Sequence, residues 1–156
     1  VLVSEETFTD ENGVTVTHRS YIKDSGIKPC GGTSKGELET KEEKTYKVGV
    51  TEWVTLWVKG RFKWDSQANT STVTLLDEGY IHHAKGIKII KNDPAVTKDN
   101  QGGKWGGKRY SCIDKRITMK GGVTTGLASD ENTFRLWVDV NVNGEKSLKP
   151  NDPTVM

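Results

Sequence analysis

Two cysteines, two methionines and four prolines are all that the 156-residue chain holds of those types, and it has no long hydrophobic run. No stretch approaches the roughly 18 apolar residues of a membrane helix, so no membrane insertion is expected. Charge of one sign is lacking too. The formal net charge is only +2, and five Trp, four Tyr and three Phe supply large apolar units, which together exclude a disordered chain. Leu and Ala are few beside 17 Gly, which argues against a helical bundle. The sequence contains no GxSxG, no HExxH, no P-loop and no GxGxxG between a strand and a helix. Those absences remove the usual signatures of nucleophile, zinc and nucleotide chemistry. No cofactor or metal is expected, and the missing motifs lean the reading toward a non-catalytic chain while leaving an enzyme open.

What is present is a chain of one-domain size, 17.3 kDa with a mean hydropathy of −0.64. Residues 1–78 hold 10 Lys and Arg against 13 Asp and Glu, while residues 79–156 hold 13 against 8. The basic excess centres on Lys104, Lys108, Arg109, Lys115, Arg116 and Lys120. A pI near 8.5 falls short of the footprint of a dedicated nucleic-acid binder, so nucleic acid is set aside as a partner.

Cys30 and Cys112 form no CxxC pair and no zinc set. Bonded to each other they would close a loop of about 80 residues and stabilise the fold by roughly 4–5 kcal/mol, which requires an oxidising compartment. The chain begins at Val1 and carries no charged-plus-apolar leader, as a secreted protein does once its signal peptide is removed. The expectation is a disulfide in an extracellular or cell-surface protein.

Period-two alternation runs through the chain and period 3.6 is almost absent. Strands are expected at 7–9 and 14–22 about a turn at 10–13, and at 72–76, 80–84, 87–91, 108–120 and 133–142. The longest signal spans 46–64, with a bend or bulge at Gly60. Residues 24–36 read as a loop, 37–44 as an exposed edge strand or a short helical segment, 100–107 as a Gly-rich loop and 149–156 as a loose tail. About eight strands with turn clusters between them describe a single all-β domain over 1–156. An antiparallel β-sandwich is expected, with a barrel as the alternative.

Three patterns invite chemistry. Asp139, Asn141, Asn143 and Gly144 match the opening of an EF-hand loop, but Pro150 stands where the closing Glu belongs, so a strand ending in an Asn143-Gly144 turn is expected. His82 and His83 point to opposite faces of a strand and cannot share a metal without a bulge. His18 reads as a satisfied core or edge histidine. Glu52 falls at an apolar parity between Val50 and Val54. Either a bulge resets the register near Thr51, or Glu52 is a buried carboxylate of the kind that serves glycosidases as an acid.

The aromatics point to a surface. Trp53 and Trp57 share the polar parity of the longest strand about 13 Å apart, and Trp137 has the polar parity of its own. Such indoles suit stacking on sugar rings or anchoring a partner. The leading expectation is a secreted non-catalytic binding module that contacts a polysaccharide or a partner protein through Trp53, Trp57 and Trp137, helped by Arg61 and Arg135. The competing classes are a polysaccharide hydrolase built on Glu52 and an assembly subunit that pairs through edge strands.

Overall fold

Alternation of apolar and polar side chains dictates strands, and the computed structural model has nine among its described residues, 2–9, 14–23, 35–48, 51–83, 87–105, 108–121 and 131–148. Strands β1 (Leu2–Thr9), β2 (Val14–Ile22), β3 (Lys35–Val48), β4 (Thr51–Asp65) and β5 (Thr70–His82) form one sheet in chain order. Strands β6 (Ile87–Trp105), β7 (Lys108–Gly121), β8 (Glu131–Asn141) and β9 (Lys146–Leu148) form a second. All neighbours are antiparallel. There is no helix among the described residues, and neither sheet closes into a barrel.

The two inner faces share one core. Leu56, Val58 and Phe62 of β4 meet Ile113 and Ile117 of β7 and Phe134, Leu136 and Val138 of β8. Gly60 permits the closest approach, because a Cβ there would stand 2.4 Å from Ile113 Cδ1. The expected irregularity at Gly60 is real. The β4–β5 register shifts between Lys59 and Gly60, leaving Leu76 as the extra residue of a bulge.

Several boundaries differ from the sequence reading. The signal at 46–64 belongs to two strands, because β3 ends at Val48 and β4 begins at Thr51. The segment 37–44 lies within β3, an interior strand paired to β2 and β4, not an edge and not a helix. Of the Gly-rich loop expected at 100–107, Gly102 and Gly103 lie inside β6, whose pairing with β7 shifts register four times, and Gly106 and Gly107 lie outside the described residues. The Asn143-Gly144 turn is present: Asn141 Oδ1 accepts from the amides of Asn143 and Glu145, and Gly144 adopts φ +80°. The expected tail at 149–156 lies outside the described residues.

The expected disulfide is not seen. Cys112 is a free thiol packed with Tyr110 and Trp137, and Cys30 lies outside the described residues. Cysteine here fills a small apolar position on β7. Burial first, then the Asp139 carboxylate, pushes its thiol up to about 11.

The sheets are tied at β5 and β6 by side chains in place of a backbone ladder. Asn100 Oδ1 accepts from Ser71 N at 2.8 Å, Asp99 Oδ1 from Val73 N at 2.9 Å, and Glu78 Oε2 from Ala95 N at 2.7 Å. The edge amides of Ser71 and Val73 are therefore satisfied.

Candidate functional site

The outer face of the first sheet carries an open groove of about 350 Å³ over β2 to β5. Strand register builds it in rows. Arg19, Glu43, Trp57 and Gly79 are consecutive cross-strand partners, and Thr17, Thr45, Thr55 and Ile81 form the adjacent row. Inter-strand spacing sets neighbours in a row about 4.8 Å apart.

Trp57 is half-buried and its indole lies over Gly79, whose missing Cβ would stand 2.3 Å from Trp57 Cζ2. No other residue leaves room for the ring to lie down on β5. Beside it Thr45 and Thr55 share a hydroxyl hydrogen bond of 2.9 Å, and Thr55 Oγ1 bonds His83 Nε2 at 2.9 Å. His83 is held there by its own amide, which donates to Trp53 O at 2.8 Å.

Both the Arg19 and the Lys41 cation of the groove stand against a carboxylate. Arg19 bonds Glu5 at 2.9 Å, Lys41 stands 3.1 Å from Glu43, and Glu52 stands 3.9 Å from His83. Glu52 is 56% exposed, and the bulge expected near Thr51 explains it. Tyr46 pairs with Val54 and Lys47 with Glu52, so Trp53 is the extra residue. An exposed carboxylate lacks the apolar enclosure on which a glycosidase acid depends.

That bulge also relocates Trp53. It is 4% exposed and turns into the core, edge-on to Phe134 at 6.5 Å. Trp137 is 9% exposed on the outer face of the second sheet, donating to Asp139 Oδ2 at 2.7 Å with the Arg135 guanidinium 4.7 Å above its ring. Arg135 also binds both oxygens of Asp114. The three indoles therefore do not share a face. Arg61 lies on the groove's side of the first sheet, about 13 Å along β4 from Trp57, bound to Glu37 and Glu39. Burial opposes the Glu39 charge, but the Lys23 hydrogen bond and the charges of Lys23, Lys59 and Arg61 outweigh it and hold its carboxyl below the ordinary value. Of the residues expected to bind, Trp57 alone lines the groove.

Among the described residues no group of three or more His, Cys, Asp or Glu side chains is placed to hold a metal. A second polar cluster lies inside. Glu42 is fully buried and accepts from Ser20 at 2.7 Å, Thr40 at 3.2 Å and Lys146 at 2.6 Å. Lys146 also donates to Ser20. His18, expected to be satisfied, is buried 3.8 Å from Glu42 with neither ring nitrogen hydrogen-bonded among the described residues.

Arg19, Lys41, Glu43, Thr45 and Thr55 escaped the sequence reading because pairing between distant strands assembles the rows. The one available signal was the Thr-rich outer parity of β2. No protein-family model matches the chain, and no curated protein and no solved structure is significantly similar to it.

Proposed function

We propose that the chain is a non-catalytic, extracellular binding module that takes a neutral polysaccharide in the groove over β2 to β5. The observation that carries this reading is Trp57 laid flat on Gly79 beside a row of threonine hydroxyls. A sugar ring stacks its apolar face on an indole, while hydroxyl and carboxylate groups of Thr45, Thr55, Glu43 and Glu52 accept and donate at its rim. Neutrality follows from the paired charges, which leave no surplus to select a polyanion. Sheet geometry supports an extended ligand, since the rows continue across four strands.

Affinity electrophoresis against soluble neutral polysaccharides, with heparin and pectate as charged controls, tests it. Retardation by a neutral glycan that weakens at least about tenfold in Trp57→Ala is expected. No retardation by any glycan, or undiminished binding by a folded Trp57→Ala, overturns it.

A second reading, an assembly subunit, draws on β1. Among the described residues that strand pairs only with β2, and all its residues with described side chains are exposed. Sedimentation that shifts to larger species with concentration, without glycan binding, would favour it.

A further inference from the structure

Lys115 is the most fully buried cation of the second sheet. It stands between Ile113 and Ile117 on the inner face of β7, and its side chain is 0% exposed. Its Nζ reaches three oxygens at once: Asn92 Oδ1 at 2.5 Å, Asp93 O at 2.8 Å and Glu78 Oε1 at 2.9 Å. Glu78 comes from β5 of the opposite sheet, and its other oxygen is occupied by the Ala95 amide at 2.7 Å. The carboxylate is therefore pinned with Oε1 toward the lysine. Asn92 comes from β6, beside the register shift at Pro94 and Ala95 that opens the ladder opposite Lys115. A carboxamide carbon lies one carbonyl bond behind its oxygen, so Asn92 Cγ is no more than about 3.7 Å from Lys115 Nζ.

A fully buried amine with a carboxamide and a carboxyl group held against it provides the reactants and the catalyst of an amide exchange. We propose that Lys115 and Asn92 form an intramolecular isopeptide bond, with Glu78 as the proton-transferring group. Lys115 first gives a proton to Glu78 Oε1, which replaces the buried ammonium and its carboxylate partner by a neutral amine and a neutral acid. The amine lone pair attacks Asn92 Cγ while the Glu78 proton is shared with the amide oxygen. Glu78 then carries a proton from Nζ to Nδ2, the Cγ–Nδ2 bond breaks, and ammonia leaves as the Nζ–Cγ amide is completed. One amide is lost and one formed, with no oxidant and no cofactor. Asn92 is exposed, so the ammonia has a direct way out. Holding the groups in place supplies the rate that free lysine and asparagine lack.

The product ties edge strand β6 to β7 covalently at the point where their ladder is interrupted. It rests on the interior geometry alone and is independent of the groove.

Electrospray mass spectrometry of the full chain, denatured after folding, tests the proposal. The expected mass is lower than that of the sequence by one ammonia, about 17 Da, with digestion yielding a branched peptide that joins the Asn92 and Lys115 segments. Glu78→Gln and Asn92→Ala should each restore the full sequence mass, circular dichroism confirming the fold. Asn92, being exposed, keeps the test usable if the Glu78 variant does not fold. An unmodified mass after prolonged incubation of the folded protein overturns the proposal. A 17 Da loss confined to a linear peptide, as from cyclised asparagine, overturns it equally, and a branched peptide in folded Glu78→Gln removes Glu78 from the mechanism.

Discussion

Replacing Lys146 by Met puts the interior between the two sheets under its most direct test. Glu42 is fully buried, and the Lys146 ammonium 2.6 Å away is a cation hydrogen-bonded to it. Ser20 and Thr40 also donate to the carboxylate, but hydroxyls bring no net charge. Lys146→Met therefore leaves a carboxylate in the core with less compensation. Breaking a buried pair from one side costs about 3–5 kcal/mol, and the low end applies here because Lys146 keeps 17% exposure and loses some interaction with water as well. For a chain of this size about 3 kcal/mol lowers the thermal midpoint by roughly 6–12 °C. Urea unfolding of the native protein, Lys146→Met, Glu42→Leu and the double variant closes the cycle. The double variant should recover most of the loss, since it removes the desolvated charge together with its partner. A single Lys146→Met within 1 kcal/mol of native would refute the reasoning, because Glu42 would then not depend on that cation.

Gly60→Ala should destabilise by about 1–3 kcal/mol in denaturant titration, since the new methyl meets Ile113 Cδ1, and Ile113→Val should restore part of it. Gly79→Ala should lift the Trp57 indole off β5 and weaken polysaccharide retardation in affinity electrophoresis, with an unchanged core. Cys112, pushed up to about 11 from 9.0, keeps its proton in the folded state where the unfolded state loses it. The stability it contributes is complete below pH 9.0 and is lost as pH rises through about 11, a decline that Cys112→Ala should lessen in pH-dependent unfolding. Native protein should also resist alkylation at neutral pH and react once denatured.

Residue parity was informative on β7, whose ladder with β8 runs unbroken. On β7 the sequence Ile113, Lys115, Ile117, Met119 places every second residue inward, and all four are buried. The same rule applied to β4 misplaced Trp53 and left Glu52 as an anomaly, because the one bulge expected near Thr51 turns Trp53 into the core and Glu52 into solvent. Parity is counted along a single strand, whereas a bulge is set by the partner strand. The disulfide expectation failed to appear for a related reason: a cysteine pair in a sequence carries no distance, and Cys112 is packed as an apolar side chain.

The amino-acid sequence by itself determined the all-β class, the approximate strand positions, the bulge at Gly60 and the turn at Asn143-Gly144. The class, the strands and the bulge follow from alternation and its interruption by a glycine, and the turn from glycine's freedom at positive φ, all local properties. Tertiary structure decided which charges go inside. The acidic and basic run at 37–44 looks like a solvated edge, yet Glu42 and Lys44 are buried, Glu42 against Lys146 of β9 and Lys44 against the Arg135 carbonyl of β8. Lys115 likewise depends on Glu78 and Asn92 from two other strands. A buried charge is tolerated only where partners converge on it, and apart from Thr40 those partners come from residues 22 to 104 positions away in the chain.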